Sequence, residues 1–421
     1  MKVLITHSYF LQFDPKQKKL GQPYPPIGTL YAAAVLSQNN YKLSFFDTMF
    51  SRSANEIIAA LKKEQPDIFV IYDDGFNYLT KMCLSNMREA AFQMAKLAKQ
   101  KGCIVIISSS DSTDNCEKYL KNGADYIIIG EAEQTLLELT DSLKNKTKNI
   151  EMIEGLAYFN NNALIKTAKR NVMRDLDTLP MPAWNLINIE PYKQTWLNKY
   201  GYFSLNMATT RGCPYKCNWC AKPIYGNRYN TRSPQNVVNE LLLLKDKFHF
   251  DHIWFCDDIF GLKPAWVEEF SKLVKQHNLR FRYKIQSRAD LLVQENYVKH
   301  LAESGCESVW IGAESGSQKI LDAMDKGITV DQIYKAVSLL KQYGIKPSLF
   351  LQFGYLGETK EDIELTIKMV NDLLPEDIGV SVSYPLPGTK FYEKVKKELK
   401  GKTNWTDSDE LALMFKNSYS P

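Results

Sequence analysis

The sequence predicts an α/β protein with two successive domains, a doubly wound parallel sheet followed by a partial (β/α)6 barrel. Two observations predict this class. Short apolar runs alternate with helical patterns along the whole chain, and such alternation is typical of parallel sheets with helices on their faces. The second half contains six strand repeats, the number expected of a partial barrel whose site lies at the carboxyl ends of its strands.

The first domain is predicted to span residues 1–148. Its predicted strands are 3–7, 43–46, 68–72, 104–108 and 126–129, and its predicted helices are 30–38, 54–63, 87–100, 116–121 and 135–144. Ligands of such sheets sit at the carboxyl ends of the strands, so segments 7–10, 72–76 and 108–113 are expected around one crevice. His7 is expected to be a polar residue at a strand end, because no acidic orienting partner stands near it in sequence.

Residues 149–200 are predicted to form a hairpin and an inter-domain linker. Apolar runs at 155–159 and 163–165 flank the polar turn 160–162, as in a β-hairpin. A proline-set extended segment follows at 177–184. We expect this linker to belong to neither core.

The second domain is predicted to span residues 201–400. Its predicted strands are 202–209, 252–255, 281–285, 308–312, 346–353 and 379–383, and its predicted helices are 237–247, 265–276, 295–303, 330–343 and 360–372. Residues 401–421 begin like a further helix with acidic residues near its start. They are expected to be the start of a C-terminal extension that is cut short.

Three cysteines carry the clearest chemical signal. Cys213, Cys217 and Cys220 stand in the run RGCPYKCNWC, a C-x-x-x-C-x-x-C spacing. Three thiolates on one loop can hold three corners of a [4Fe-4S] cubane and leave its fourth iron open. The alternatives are a zinc site, which needs a fourth Cys or His, and a chance group of core cysteines.

The cysteine run, placed after a predicted strand and with Trp219 before its last thiol, resembles the radical S-adenosylmethionine (SAM) enzymes. The resemblance implies a TIM-like radical SAM barrel. It also implies that the open iron binds the amine and carboxylate of SAM, and that one electron cleaves the sulfonium to a 5′-deoxyadenosyl radical. The cofactor performs this chemistry and the protein orients it.

The same resemblance implies SAM contacts at several strand ends. Arg288 is placed to reach a carboxylate, and Glu314 matches the acidic position that accepts the two ribose hydroxyls. The run 353–359 resembles the glycine-bearing motif beside the adenine. The implied SAM-binding set is Trp219, Gln286, Arg288, Glu314, Gly354 and Gly357.

An acidic pair, Asp257 and Asp258, follows the second predicted barrel strand. The family often has such a pair facing the cavity, which implies a catalytic role. Paired carboxylates at a strand end can act as general bases. Salt bridges or loop caps explain them equally well.

Segments 25–33, 123–126 and 130–133 resemble the Rossmann-like, cobalamin-binding type of domain that precedes many radical SAM barrels. The resemblance implies that the cobalamin borders Ser108, Ser109, Ser110, Gly130 and Glu131. The Asp-x-His-x-x-Gly signature that supplies a histidine to cobalt is absent. A domain that has lost the cofactor and only packs on the barrel stays open as an alternative.

The resemblance implies a cobalamin-dependent radical SAM enzyme that modifies an unactivated carbon, most simply by C-methylation. One SAM would supply the methyl group to cobalamin, and a second would supply the radical. A radical cyclase or oxidative rearrangement enzyme is the alternative within the enzyme class. A non-catalytic cobalamin or redox sensor is an alternative of a different class. A methylthiotransferase would need a second cluster, which the cysteine spacing does not predict.

The composition is ordinary for a globular protein. Fifty-three basic and 48 acidic residues give a net charge of +5, too slight to indicate a nucleic-acid partner. No transmembrane segment is predicted. Eight cysteines without a disulfide framework suit a reducing compartment, and we expect the cytoplasm. The implied partners are a small-molecule substrate and an external electron donor such as flavodoxin or ferredoxin.

Overall fold

The computed structural model describes residues 1–73, 75–76, 84–147, 149–222, 224–399 and 415. The described chain forms two compact units. The first consists mainly of Met1–Gly201 with Pro223–Tyr225, and the second of Tyr202–Lys222 with Gly226–Thr403. The predicted extension 401–421 lies outside the described residues apart from Phe415. The predicted boundaries at 148 and 400 stay predictions.

The first unit contains a seven-stranded sheet in the order β2-β1-β3-β4-β5-β6-β7. Its strands are β1 (Lys2–Thr6), β2 (Lys42–Phe46), β3 (Ile68–Tyr72), β4 (Ile104–Ser108), β5 (Tyr126–Ile128), β6 (Leu156–Asn160) and β7 (Ala163–Lys166). The first five run parallel, and β6 and β7 are antiparallel additions. The chain moves from β1 to one side and then to the other, which confirms the doubly wound prediction.

Helices connect these strands. They are α1 (Pro15–Leu20), α2 (Ile27–Gln38), α3 (Ile57–Glu64), α4 (Ser85–Gln100), α5 (Ser110–Asp114), α6 (Cys116–Lys121), α7 (Glu133–Asn145) and α8 (Glu190–Tyr200). Every residue of the central strand β3 is buried, as expected of a continuous apolar run covered on both faces. The short helix α5 was not predicted, because its residues Ser-Asp-Ser-Thr-Asp show no apolar period.

The hairpin and linker are more closely tied to the first unit than the sequence indicated. Strand β6 pairs with β5, and Leu156 is fully buried in the first core. Ala183 belongs to the same core cluster, and its N–H donates to the carbonyl of Leu30 at 3.0 Å. The expectation that the linker belongs to neither core is therefore wrong at this end, because small and apolar side chains there find buried partners distant in sequence.

The second unit contains six parallel strands in the order β15-β14-β13-β12-β11-β8. These strands are β8 (Ser204–Met207), β11 (His252–Phe255), β12 (Arg282–Ser287), β13 (Cys306–Glu314), β14 (Lys346–Phe353) and β15 (Asp377–Val382). A separate two-stranded ladder joins β9 (Thr210–Arg211) and β10 (Asn230–Thr231). The six-strand order confirms the predicted partial barrel.

The helices of the second unit are α9 (Pro234–Phe248), α10 (Pro264–Gln276), α11 (Ala289–Leu292), α12 (Glu295–Glu303), α13 (Gln318–Ala323), α14 (Val330–Gln342), α15 (Lys360–Leu373) and α16 (Lys390–Val395). Alternate strand residues face these helices. Tyr283 of β12 and Phe255 of β11 meet Phe270 of α10 with ring centroids 6.2 and 5.9 Å apart. In the described part of the chain, no helix is both long and apolar enough to cross a bilayer.

Candidate functional site

The three cysteines lie in the loop that joins β9 to β10, directly after the first barrel strand β8. Gly212 begins this loop with φ of +81°. A Cβ at Gly212 would lie 2.3 Å from the carbonyl oxygen of Arg228, so only glycine fits both the backbone conformation and the space. This close approach explains why a glycine directly precedes Cys213. Without a side chain at position 212, the two ends of the cysteine loop can pack against each other.

None of the seven described cysteines forms a disulfide with another of them. Burial raises the pKa of Cys213, the nearby Lys222 ammonium lowers it, and Asp258 raises it further. Iron would hold such a thiol in its thiolate form, because a coordinating thiol is deprotonated outright.

The described residues contain no group of three or more His, Cys, Asp or Glu side chains that could hold a metal ion. A zinc site would need a fourth Cys or His ligand beside the three thiols. A cubane would take each thiolate at a separate iron corner.

A first side-chain anchor of the loop is Tyr215. Its ring lies under the guanidinium of Arg288, whose central carbon is 3.5 Å from the ring centroid. Arg288 Nε donates to Asp290 at 2.9 Å, and its Nη1 donates to the carbonyl of Lys326 at 3.0 Å. The prediction that Arg288 contacts SAM stays a prediction. In the structure this side chain ties the cysteine loop to the end of β12.

Asn218, between Cys217 and Cys220, is a second and stronger anchor. Its N–H donates to the carbonyl of Met324 at 3.0 Å, and its Nδ2 donates to that of Ala323 at 2.7 Å. The hydroxyl of Tyr355 donates to Asn218 Oδ1 at 2.6 Å. The N–H of Phe391 donates to the Asn218 carbonyl at 3.0 Å. Four groups of this buried residue are thus bonded to three different segments.

Trp219 packs beside an apolar cluster that contains Met324, Tyr355 and Phe391. Its indole N–H is buried and has no acceptor in the described part of the chain. An orphaned donor beside a thiol loop fits a polar ligand atom, because such buried donors are rarely left unpaired. The predicted SAM contact of Trp219 stays a prediction.

Asp257 holds the chain just before the cysteine loop. The N–H groups of Thr209 and Thr210 donate to Asp257 Oδ1 at 2.7 and 2.8 Å, and the Thr209 hydroxyl donates to Oδ2 at 2.6 Å. Burial raises the pKa of Asp257 to about 6, although these hydrogen bonds lower it. Of the two explanations that the sequence left open, this geometry favours a loop cap. Asp258 lies close enough to Cys213 to affect its pKa.

Glu314 ends β13 with φ of +61°, a conformation that non-glycine residues adopt at some energetic cost. Its Oε1 accepts a hydrogen bond from Lys326 Nζ at 2.6 Å, and both side chains are buried. A Cβ at Gly312 would lie 2.6 Å from that ammonium nitrogen. Gly312 therefore leaves the room in which the ion pair sits.

The remaining predicted SAM residues lie at neighbouring strand ends. Gly354 and Gly357 have φ of +75° and +82°, so each is in a conformation that favours glycine. The Gly354 N–H donates to Glu358 Oε2 at 2.6 Å, which closes the turn. Gln286 lies in β12 opposite Trp310 of β13. These residues lie at the carboxyl ends of β12 and β14, on either side of β13, and their contacts to SAM stay predictions.

The first unit also gathers polar residues at its carboxyl ends. Ser8 donates to both oxygens of Asp73, at 2.6 Å from the backbone and 2.8 Å from the hydroxyl. The Asp73 N–H donates to the carbonyl of Ser108 at 2.8 Å. The ends of β1, β3 and β4 therefore meet, as the sequence predicted. Residues 74 and 77–83 lie outside the described part.

His7 has an acidic partner, although none stands near it in sequence. Its Nε2 lies 2.9 Å from Asp47 Oδ1, and Tyr192 donates to Asp47 Oδ2 at 2.8 Å. Thr48 Oγ1 lies 3.2 Å from His7 Nδ1. The acidic partner was missed because β2 brings it from 40 residues away. Both ring nitrogens have protein partners, so the assignment as a polar strand-end residue fits.

The predicted cobalamin-bordering residues lie at the ends of β4 and β5. Ser109 caps α5 through reciprocal bonds with Ser112 at 2.8 and 2.9 Å. The Ser110 hydroxyl is buried and has no partner in the described residues. Gly130 has φ of +81°, and a Cβ there would meet one atom within 4 Å. Glu131 accepts a short hydrogen bond from the Met173 N–H.

Sequence reasoning missed the residues that hold the loop. Asn218 lies inside the motif, yet nothing in its spacing shows its bonds to Ala323 or Tyr355. Lys326 follows Glu314 by 12 positions and carries no motif. The one available signal was the position of Gly212 directly before the cysteine triplet, since a glycine often marks a close backbone approach.

Residues 207–370 match the family described as the Radical SAM superfamily. The chain is 28% identical over 382 residues to an uncharacterized methyltransferase of Pyrococcus horikoshii, covering 90% of this chain and 80% of the relative. It is 24% identical over 417 residues to the anaerobic magnesium-protoporphyrin IX monomethyl ester cyclase of Cereibacter sphaeroides, covering 95% of this chain and 64% of that protein.

Solved structures share the fold. The methyltransferase TsrM from Kitasatospora setae, solved with cobalamin and a [4Fe-4S] cluster bound, aligns with a TM-score of 0.77 at 18% identity, covering 96% of this chain and 76% of that chain. OxsB, a cobalamin-dependent radical enzyme solved with aqua-cobalamin, aligns with a TM-score of 0.78 at 18% identity, covering 96% of this chain and 62% of that chain. At this identity the likeness shows the two-unit fold alone.

Proposed function

Because residues 207–370 match the Radical SAM superfamily, we propose that this chain is a cobalamin-dependent radical SAM enzyme that C-methylates a small molecule. One observation carries the proposal. The three-cysteine loop is held in one conformation by Gly212, Tyr215 and Asn218, which is what an oriented cluster requires.

The residues present fit the cluster. Cys213, Cys217 and Cys220 lie on one loop and form no disulfide with a described cysteine, and three thiolates leave one cubane corner for SAM. When bound, the cluster supplies the electron that cleaves the sulfonium of SAM. The chain's part is to orient that molecule. We propose that Glu314 accepts the ribose hydroxyls and that the indole N–H of Trp219 donates to a polar atom of SAM.

The first unit fits a cobalamin at its carboxyl edge. The orphaned hydroxyl of Ser110 and the open approach at Gly130 offer a donor and backbone access to a buried polar tail. When bound, the cobalamin supplies the methyl carrier. We propose that the bonded state of His7 leaves cobalt without a histidine ligand from this strand end.

The test is anaerobic reconstitution of the full chain with iron, sulfide and hydroxocobalamin, followed by metal analysis and reduction in the presence of SAM. We expect about four irons per chain, the count that a cubane implies, near-stoichiometric cobalt, and 5′-deoxyadenosine. Cys217→Ala should lose the iron and the SAM cleavage. Cys256→Ala, which alters a buried cysteine outside the loop, is the matched control and should keep both.

Iron without cobalt would overturn the cobalamin part of the proposal and leave ordinary hydrogen-abstraction chemistry. Cobalt and iron without SAM cleavage would instead support a non-catalytic sensor.

A radical cyclase is the second candidate, because two relatives at 24% and 25% identity carry that name. The two reactions differ in their SAM products. Methylation consumes two SAM molecules and releases S-adenosylhomocysteine together with 5′-deoxyadenosine. Cyclisation releases 5′-deoxyadenosine without the homocysteine product. Measuring both products with an accepted substrate separates the candidates.

We further propose an external electron donor such as flavodoxin or ferredoxin, and a cytoplasmic location. Lys216 and Arg228 are exposed next to the cysteine loop, and positive charge there favours encounter with an acidic donor protein. The seven described cysteines form no disulfide with one another, which supports a reducing compartment. Charge reversal at Lys216 should slow reduction by flavodoxin more than reduction by dithionite.

A further inference from the structure

Lys222 places a positive charge beside the cysteine loop. It follows the third cysteine by two positions, and its side chain is partly buried. Its ammonium donates to the carbonyl of Tyr215, which stands midway between Cys213 and Cys217. It also donates to Asn227 Oδ1 at 2.8 Å. The side chain therefore reaches back across the loop and holds its charge between the first two thiol positions.

Both of these acceptors are neutral. A backbone carbonyl and an amide oxygen orient the Lys222 ammonium without cancelling its charge. Two other cations at the neighbouring strand ends differ in this respect. Arg288 Nε donates to Asp290 at 2.9 Å. Lys326 Nζ donates to Glu314 at 2.6 Å. The charges of Arg288 and Lys326 are therefore balanced by carboxylates, and the charge of Lys222 is held by dipoles.

The Lys222 charge acts on the first thiol of the loop. Burial has the largest effect on the pKa of Cys213 and raises it. The Lys222 ammonium lowers this pKa by more than the carboxylate of Asp258 raises it. Lys222 is thus close enough to Cys213 for its charge to favour negative charge there.

An iron–sulfur cluster gains one negative charge when it accepts an electron. Its reduction potential therefore depends on the charges and hydrogen bonds around it and on its exposure to solvent. A positive charge nearby stabilises the reduced state more than the oxidised one. A partly buried charge is screened less by salt than an exposed one, so its effect is larger.

We propose that the Lys222 ammonium raises the reduction potential of the cluster held by Cys213, Cys217 and Cys220. In this step one electron passes from an external donor protein to the cluster, and no bond forms or breaks. The charge of Lys222 favours the transfer and so sets how much of the cluster a given donor reduces. The inference rests on the cluster part of the proposed function and not on the cobalamin or the methyl transfer.

The experiment is a mediated redox titration of the reconstituted full chain without SAM, followed by EPR, with iron measured on the same samples. Lys222→Gln removes the charge but keeps an N–H that can donate to the Tyr215 carbonyl. We expect the ratio of reduced to oxidised cluster at a fixed potential to fall about tenfold, which is 59 mV for one electron, at unchanged iron content. Lys222→Arg keeps the charge and should keep the ratio.

Lys216→Gln is the matched control. Lys216 lies on the same loop and carries the same charge, but it is exposed, so solvent and salt screen it. Small mediators carry the electrons in this titration, so docking of a donor protein plays no part. The ratio should stay close to that of the unaltered chain. An equal shift in Lys216→Gln and Lys222→Gln would overturn the proposal, because net charge and not the position of Lys222 would then set the potential.

An unchanged ratio in Lys222→Gln at full iron content would overturn this inference alone. If Lys222→Gln holds no iron, Lys222→Met takes its place in the titration. Loss of iron in both variants would overturn the inference and leave Lys222 with a structural role. A shifted potential in Lys222→Gln, together with no SAM cleavage by the unaltered chain, would overturn the proposed function alone. An unaltered chain without iron would overturn the cluster assignment on which both rest.

Discussion

At the carboxyl ends of the two parallel sheets, the buried carboxylate of Asp111 and the cysteine loop are held in different ways. In the first unit, Asp111 is neutralised inside the protein, because it accepts hydrogen bonds from Arg88 Nε at 2.6 Å, from Arg88 Nη2 at 2.5 Å and from the Tyr119 hydroxyl at 2.7 Å. In the second unit, a neutral amide and a glycine hold the cysteine loop by its backbone. The first arrangement stabilises a scaffold through charge, and the second sets the shape of a loop so that its thiols stay available.

Breaking the charge pair of the first unit should have the largest effect on stability. Arg88→Met leaves Asp111 buried without its cation, and removing one partner of a buried ion pair costs about 3–5 kcal/mol. Hydrogen exchange of peptides from α4 measures this local loss. Lys121→Met, in the exposed pair with Glu117, is the control and should change little, since exposed pairs contribute weakly. Equal effects of the two substitutions would contradict the comparison.

Gly212→Ala should come next, and its effect should appear in the metal site. A methyl group there meets the Arg228 carbonyl at 2.3 Å, in a backbone conformation unsuited to alanine, for a combined cost of about 3 kcal/mol. We expect less than half the iron of the unaltered chain after reconstitution. Gly226→Ala has a similar positive φ of +67° but nothing within 4 Å. Equal iron loss in both variants would show that the positive φ, and not the close approach to the Arg228 carbonyl, causes the loss.

Asn218→Ala should cost about 1–2 kcal/mol, because it removes the buried side-chain hydrogen bonds to the Ala323 carbonyl and from the Tyr355 hydroxyl. These two groups lie 3.1 Å apart and keep each other as partners, which limits the loss. The loop would still form, but we expect faster loss of iron to a chelator. Asn227→Ala, in the exposed part of the same connection, is the matched control. An unchanged rate of iron loss to the chelator in Asn218→Ala would mean that the hydrogen bonds of Asn218 do not hold the cysteine loop.

Asp257→Asn should have the smallest effect, visible in the pH dependence. Folding raises the pKa of Asp257 from 3.8 to about 6, so the native state keeps a proton that the unfolded chain releases. Its contribution to stability is therefore lost as the pH rises from about 4 to about 6 and is constant above. Thermal unfolding of Asp257→Asn should show a smaller decline over that range. A loss of turnover at unchanged iron content would instead support the general-base interpretation.

The structure also explains which elements and contacts could be predicted from the sequence. Alternating apolar runs predicted the strands of both sheets, because burial on each face acts on residues close in sequence. The cysteine triplet was visible because its three residues lie within eight positions. The contacts of Asp47 with His7 and of Lys326 with Glu314 could not be predicted from the sequence. In each pair the fold brings together two residues that no local sequence pattern connects.

The sequence by itself determined the order of the two sheets, the six-strand count of the barrel and the thiol loop, since each depends on spacing along the chain. Only the tertiary structure decided that Asp257 caps the loop and that Asn218 joins three segments. Those roles depend on which strand ends meet and on strand register. Packing of residues tens to more than a hundred positions apart sets both.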